Sequence, residues 1–294
     1  MEQTLQQLIN GISLGSIYAL IALGYTMVYG IINLINFAHG DIYMVGAYVG
    51  YALTTFLGLG FFPSLLISMI ICSILGMIIE KVAYKPIRNS TRIAALITAI
   101  SVSLFLQYTM MYFVTPDTRT FPEILKSNRL TLFNGKVILD SKNIYILLIT
   151  ILLMFGLQYV VHKTKIGKAM RAVSLDKDAA ELMGIDVNKT ISFTFAIGSA
   201  LAGAAGVLVG VYYNTINPLM GAAPGLKAFV AAVLGGIGII PGAMFGGFFL
   251  GMIETIVSAY GGSIFKDAVA FGILIIILLV KPNGLLGKTT REKI

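Results

Sequence analysis

Polar positions are few along this chain, and they divide it into long apolar runs. No Asp, Glu, Lys or Arg occurs in six stretches, 3–40, 42–79, 93–116, 143–162, 190–226 and 228–253. Because a helix rises about 1.5 Å per residue, about 20 apolar residues are enough to cross the hydrocarbon core of a bilayer. Each run therefore predicts at least one membrane helix, and the longest runs have room for more than one.

Turn residues inside these runs set the ends of the predicted helices. A polar stretch at 33–41 interrupts the first run, Pro63 opens the third helix, and Asn217-Pro218 precedes the last group. At about 1.5 Å per residue, two segments of this last group would extend only about 21 and 24 Å, short of a core of about 30 Å, so we expect half-helices or a re-entrant hairpin there. The nine predicted segments lie near 5–29, 42–57, 63–79, 93–114, 143–161, 190–212, 226–239, 242–257 and 264–280.

The composition supports a membrane protein. Hydrophobic residues make up 57% of the 294 positions and charged residues 12%, whereas soluble domains carry about 25% charged residues. Soluble enzymes, nucleic-acid binders and disulfide scaffolds are excluded as descriptions of the whole chain.

The single cysteine, Cys72, lies in an apolar run, so neither a disulfide nor a cysteine metal site is expected. No Lys or Arg precedes Lys81, so the basic region of a cleavable signal peptide is missing.

Basic residues indicate the orientation of the segments. The loops 81–92 and 162–189 and the tail from 281 hold 14 of the 21 Lys and Arg residues, which places them in the cytoplasm. The loop 115–142 has five bases and three acids and lies an odd number of crossings from both loops, so we expect it outside. The +8 net charge is therefore explained by the orientation of the chain in the membrane and does not indicate a nucleic-acid partner. The predicted fold is an all-α polytopic membrane protein with 8–9 membrane segments, the N-terminus outside and the C-terminus cytoplasmic.

Two local patterns add detail to this fold. Residues 130–139 alternate in polarity around Asn134-Gly135, which predicts a β-hairpin in the external loop. Glycines also recur at four-residue spacing, which lets helix backbones approach closely in a bundle. The pairs are Gly11 with Gly15, Gly46 with Gly50, Gly206 with Gly210, Gly242 with Gly246, and Gly247 with Gly251.

A polar cluster between the first two predicted helices is the first candidate site. Asn33, Asn36, His39 and Asp41 would be costly against lipid, so we expect them to face a cavity, a partner chain or water. Asp41 fits two compatible roles, as the N-cap of the second helix and as part of a translocation pathway. No Cys, His or carboxylate cluster supports His39 as a metal ligand.

Two charged residues of the C-terminal part need a separate explanation. Lys227 and Glu254 lie in otherwise apolar stretches, where an ionisable residue suggests function. Both are near predicted helix ends, so we favour a structural role such as an ion pair with another segment. Lys266 and Asp267 are interpreted as an interfacial anchor.

The loop 162–189 contains a short helix with capping signals at both ends. Asp176 is placed as its N-cap, Asp178 lies in the first turn, Ala179, Ala180 and Glu181 follow, and Gly184 is suited to end it. A helix of about two turns is unstable alone, so it should dock on something. A solvated basic connector remains an alternative for 163–171.

Three stretches together resemble a known transporter family. The run Asp178-Ala-Ala-x-x-x-Gly184 is similar to the Glu-Ala-Ala-x-x-x-Gly coupling loop of bacterial ABC importer permeases, although Asp replaces Glu and the later Ile-x-Leu-Pro part is absent. The stretches 24–48 and 227–251 resemble the LivH-type permeases of branched-chain amino acid importers. The resemblance extends from residue 8 to 287. Urea and short-chain amide permeases share the Asn-x-x-His-Gly theme at 36–40, which leaves them as alternatives for the substrate.

The resemblance implies a single permease domain over 1–294, in the bacterial inner membrane and without catalysis or a cofactor of its own. Its expected partners are a second permease of similar fold, two cytoplasmic ATP-binding subunits, an external solute-binding protein and membrane lipid, with no nucleic acid. Gly287-Lys288-Thr289 mimics the end of a phosphate-binding loop, but Pro282 occupies the position of its first glycine. The coupling loop would comprise Asp176, Asp178, Ala179, Ala180, Glu181 and Gly184, and the pathway Asn33, Asn36, His39 and Asp41.

Two other functional classes fit the residues less well. A secondary transporter with half-helices would need buried ionisable groups to couple an ion, and Asp41 and Glu254 are the only good candidates. An intramembrane enzyme would need a metal set or a nucleophile beside a base, and the sequence shows neither pattern.

Overall fold

The structure is a computed structural model that describes residues 2–32, 36–88, 90–125, 129–132 and 137–287. Helices dominate these ranges, as an all-α membrane protein requires. They are α1 Glu2–Ile32, α2 His39–Phe56, α3 Phe61–Ile79 with a π-helical turn Glu80–Tyr84, α4 Arg92–Val114, α5 Ser141–Lys163, α6 Lys165–Leu175, α7 Lys177–Leu182, α8 Val187–Tyr213, α9 Ala222–Gly235, α10 Ile240–Tyr260 and α11 Phe265–Val280.

Each of the nine predicted segments has a helix at its position, but one expectation about their lengths is wrong. Helix α10 has 21 residues, about 31 Å by rise, and is not a half-helix. Pro241 occupies the first turn, where its missing N–H costs nothing, so it starts the helix instead of limiting it. Helix α9 has 14 residues and stays short. Within the described ranges, six helices are long and apolar enough to cross a membrane: α1, α3, α4, α5, α8 and α10.

Helices α1 and α8 form the centre of the bundle. Both are almost wholly buried along their apolar length, whereas α4 and α5 expose most of theirs. Small residues permit the packing, since the Gly251 backbone lies against Gly15 of α1, and Gly46 of α2 lies against Gly203 of α8. All five predicted glycine pairs face other segments of this same chain. The chain therefore uses these glycines for its own helix packing.

Helix α2 begins near half the height of the bundle. Its first residue, His39, lies beside Gly24, eight residues before α1 ends at Ile32. Gly24 contacts Gly198, eleven residues after α8 begins at Val187 and fifteen before it ends. The start of α9 meets the same place, because Gly40 lies against the Gly221 backbone. Two helix N-termini thus meet inside the protein.

The described parts of the loop 115–142 lie together with the loop 213–221 at one end of the bundle, which we call the amino-terminal end. Strand β1 (Arg119–Thr120) pairs with β4 (Thr215–Ile216), and β2 (Arg129–Leu132) pairs antiparallel with β3 (Val137–Asp140). The backbone amide of Ile138 donates to the Gln6 side chain at 2.7 Å, so the β2–β3 strands contact the start of α1. The predicted Asn134-Gly135 turn lies outside the described residues.

The π-helical turn, α6 and α7 lie at the opposite end. The segment 163–171, which one sequence alternative interpreted as a solvated connector, is mostly helical and belongs to α5 and α6. Thr164 caps α6 by accepting a hydrogen bond from the Gly167 amide at 3.1 Å. Met170 and Val173 are buried on its inner side. The connector interpretation is therefore wrong, because the apolar face of α6 packs against the bundle.

Candidate functional site

The polar cluster at the start of α2 lies inside the protein in this conformation. Asn36, His39 and Asp41 are each at most 2% exposed. Asn33 lies outside the described residues. Ala38 is the residue before α2, and its position carries no side chain that could cap the helix. The structure thus brings three of the four predicted pathway residues together, in packed surroundings.

The side chain of His39, the first residue of α2, packs against α1. Its ring centre lies 4.7 Å from that of Tyr25, with an edge-on arrangement. Gly24 makes room for the ring, since a Cβ at Gly24 would overlap the imidazole. Asn36 accepts a hydrogen bond from the Tyr84 hydroxyl at 2.8 Å. Among the described residues, neither Nδ2 of Asn36 nor Nε2 of His39 has a hydrogen-bond partner.

Asp41 is not the N-cap that the sequence suggested. The helix begins two residues earlier, at His39, so the carboxylate sits in the first turn. It accepts a hydrogen bond from Nε2 of Gln107 on α4 at 2.9 Å. An acidic group in the first turn also interacts favourably with the helix dipole. Sequence reasoning missed Gln107, because a lone glutamine in an apolar run gives no signal of its distant partner.

Lys227 and Glu254 form a buried ion pair between α9 and α10. Their N and O atoms are 2.6 Å apart, and both side chains are 6% exposed. Tyr18 donates from its hydroxyl to the second carboxylate oxygen at 2.8 Å. Lys227 also contacts Asp267 of α11 at 2.7 Å. These contacts join four helices, as the structural interpretation of the two charges predicted.

Helix α7 is fixed at both ends. Oδ1 of Asp176 accepts from the amides of Asp178 and Ala179 at 2.9 and 3.0 Å. At the other end Gly184 has a φ of 80°, its amide donates to the Glu181 carbonyl, and the next amide donates to the Ala180 carbonyl. This pattern is a Schellman motif, which needs glycine at the left-handed position. The six-residue helix thus has a defined shape without a long helical run.

The outer side of α7 and the end of α6 expose apolar side chains. Leu182 is 89% exposed, Met183 82% and Leu175 88%. Ala180 faces inward and is buried. The three exposed side chains lie within nine residues of one another along the chain, and exposed apolar groups that are contiguous mark an interaction surface. We call Leu175, Leu182 and Met183 the α7 patch.

Helix α7 is joined closely to α8. Asp186 caps α8 by accepting from the Lys189 amide at 3.0 Å, and the Lys189 ammonium lies 3.0 Å from the same carboxylate. The backbone amide of Lys189, followed by its side chain, lowers the pKa of Asp186 below its ordinary value. The cap therefore stays ionised at neutral pH.

Sequence reasoning also missed a buried ion pair at this end. Arg88 lies 2.6 Å from Glu80, which is fully buried. The sequence interpretation assigned Arg88 to a cytoplasmic loop by its charge alone. The only available signal was the position of Glu80, directly after the apolar run 42–79.

The chain is similar to several known proteins. The family model described as branched-chain amino acid transport system, permease component, matches residues 7–278. The chain is 46% identical to the high-affinity branched-chain amino acid transport system permease protein BraD of Pseudomonas aeruginosa, over 99% of this chain and 98% of BraD. It is 45% identical to the permease protein LivH of Escherichia coli K12, over 99% and 97% of the two chains. A probable LivH of Methanocaldococcus jannaschii is 30% identical over 92% and 89%.

One solved structure has a related fold. It is PsaBC from Streptococcus pneumoniae in complex with Fab, with a TM-score of 0.50 and 15% sequence identity. The similarity covers 95% of this chain and 91% of the other. At this identity the likeness concerns the fold alone.

Proposed function

The chain belongs to the family of branched-chain amino acid transport permease components, and from this premise we propose the way in which it works. It is the membrane-spanning subunit of an ATP-driven importer, and it carries branched-chain or related small apolar amino acids across the bacterial inner membrane. Relatives that are 45–46% identical over nearly the whole chain support this substrate class over urea and short-chain amides. ATP is hydrolysed by partner subunits.

The observation that carries this proposal is the exposed α7 patch on a helix with caps at both ends. A helix of six residues has little stability alone, so α7 is suited to dock in a groove of a partner. The partner that we infer is a cytoplasmic ATP-binding subunit. Asp176 and Gly184 shape the helix, Ala179 allows close approach, and Asp178 and Glu181 supply charge at the contact.

The proposed complex contains two permeases, two ATP-binding subunits and an external solute-binding protein. A second permease of similar fold would cover apolar surface that α4 and α11 expose, and membrane lipid would cover the rest. The amino-terminal end faces outward and the end with α6 and α7 faces the cytoplasm, with 8–9 membrane segments between them. The charge distribution supports this orientation.

The proposed pathway residues are Asn33, Asn36, His39 and Asp41. In this conformation the three described residues are buried, so transport requires the helices around them to move. The start of α2 is well placed for such a change, because it meets the start of α9 through glycine contacts. These residues would line or gate the path of a small zwitterion.

The decisive experiment removes the α7 patch from an otherwise intact complex. The double substitution Leu182→Asp with Met183→Asp should abolish copurification of the ATP-binding subunit and substrate uptake, because two carboxylates would be placed in an apolar contact. Leu130→Asp is the matched control, since Leu130 is 59% exposed at the amino-terminal end, and it should keep the ATP-binding subunit bound.

Copurification of an ATP-binding subunit with the variant that carries Leu182→Asp and Met183→Asp would refute the proposal. If the unaltered chain transports amino acids and no ATP-binding subunit copurifies with it, an ion-coupled transporter becomes the better description. The substrate is checked by measuring which amino acids bind the partner solute-binding protein.

A further inference from the structure

The ion pair between Glu80 and Arg88 has no part in the roles described so far. Glu80 is fully buried, and the Arg88 side chain is 15% exposed. A buried ion pair seldom stabilises a protein more than an apolar pair of the same size, because both charges lose their hydration. Stability alone therefore gives a weak reason for this pair.

The pair joins the end of α3 to the beginning of α8. Nη1 of Arg88 donates to Oδ1 of Asn188 at 2.9 Å. Oε2 of Glu80 accepts from the Ser192 hydroxyl at 2.5 Å, while its Oε1 faces Arg88. Asn188 and Ser192 lie in the first two turns of α8. The Glu80 carboxylate thus holds the two helices in one relative position with directional hydrogen bonds.

The beginning of α8 is itself tied to α7. Four residues, 183–186, separate the two helices, and they are fixed by the Schellman motif and by the Asp186 cap. A displacement of α7 by a partner therefore displaces the first turns of α8, and with them Asn188 and Ser192.

A π-helical turn connects Glu80 to the interior. It spans Glu80–Tyr84, and such turns occur often at functional sites. Tyr84 ends it with its ring 5.3 Å from that of Phe195 and its hydroxyl donating to Asn36 at 2.8 Å. The carbonyl of Asn36 in turn accepts from the His39 amide at 3.0 Å. Glu80 is thus linked through one turn of backbone to the segment that begins α2.

We propose that Glu80, Arg88 and Tyr84 are positioning residues that transmit movement of α7 to Asn36 and His39. The inference rests on the proposed function, because it requires a partner that moves α7. It adds a route that begins at the docking helix, crosses from α8 to the π-helical turn, and ends at the proposed pathway.

The test measures ATP hydrolysis and amino acid transport by the complete complex in lipid vesicles. Tyr84→Phe removes only the hydroxyl that contacts Asn36, and Glu80→Gln removes only the charge. We expect hydrolysis to continue while the amount transported per ATP falls by roughly 2- to 30-fold, since substitutions along a coupling route change coupling by about 0.5–2 kcal/mol. Tyr159→Phe is the matched control because Tyr159 is 65% exposed on α5, and the amount transported per ATP should stay unchanged in this variant.

Two results would overturn the inference. One is an unchanged amount of amino acid transported per ATP hydrolysed in both Tyr84→Phe and Glu80→Gln. The other is a fall of hydrolysis and transport in equal proportion together with a lower thermal unfolding temperature, which would make the residues structural only. Either result leaves the proposed function in place, provided that the unaltered complex transports and the α7 patch variant fails. If the unaltered complex does not transport, the proposed function itself fails.

Discussion

At the scale of single residues, buried charges and buried amides behave differently in this protein. Each buried charged side chain in the described ranges has a polar partner; they are Asp41, Glu80, Lys142, Lys227 and Glu254. Removing one member of a buried ion pair, such as that of Lys227 with Glu254, costs about 3–5 kcal/mol because the other charge is left unpaired. In the same ranges, Nδ2 of Asn36 and Nε2 of His39 remain without a hydrogen-bond partner. A buried polar atom without a hydrogen-bond partner costs about 1–3 kcal/mol.

The pathway role of Asn36 gives a prediction at this scale. Asn36→Ala should lower the transport rate about fivefold, the effect of one lost hydrogen bond of about 1 kcal/mol, without changing solute binding to the receptor. Asn143→Ala, at the partly buried start of α5, should leave the rate unchanged. Uptake into vesicles and receptor binding are measured separately. An unaltered rate for Asn36→Ala would remove this residue from the pathway.

At the scale of elements, glycines decide how closely the helices pack. Lipid supplies no hydrophobic drive for helix association, so close backbone contact contributes much of the stability. The four-residue spacing of glycines predicted such contacts without naming the partners. The partners depend on the fold, because Gly251 meets Gly15, which is more than 200 residues away along the chain.

A pair of glycine substitutions tests this packing. Gly251→Ala should lower the free energy of unfolding by about 1–3 kcal/mol, because its Cβ would overlap the backbone of Gly15. Gly156→Ala is the matched control within α5, where an added Cβ meets no atom within 4 Å. This control should be neutral or stabilising by up to about 1 kcal/mol, since alanine favours helix. Thermal unfolding in detergent measures both, and equal effects would contradict the packing explanation.

At the scale of the whole molecule, the two ends of the bundle differ in structure. The amino-terminal end carries the short strands, and the opposite end carries α6, α7 and the ion pair of Glu80 with Arg88. Strand pairing between β1 and β4 fixes 115–125 and 213–221 at the same end. The loop that contains α7 lies between these two segments along the chain and at the opposite end of the bundle.

Cysteine labelling in cells tests the proposed orientation. Cys72 is the single cysteine and is fully buried, so the native chain should not react with a membrane-impermeant maleimide. Asp117→Cys should be labelled in intact spheroplasts, and Lys168→Cys only after permeabilisation, because both positions are exposed at opposite ends. The reverse pattern would invert the orientation.

The sequence by itself determined the membrane class, the position of nearly every helix, the caps of α7 and the family. These properties depend on the scarcity of charged residues, on local residue spacing and on short motifs. All three signals come from residues that are close together along the chain. Only the tertiary structure decided that Pro241 begins a full-length helix and that α2 starts inside the bundle. It also decided that Asp41 accepts a hydrogen bond from Gln107 and does not cap its helix. The fold likewise decided that the Glu80 carboxylate meets the Ser192 hydroxyl of α8, 112 residues away along the chain. Such contacts join residues far apart in sequence, and the free energy of burying a polar group depends on which distant partner the fold brings to it.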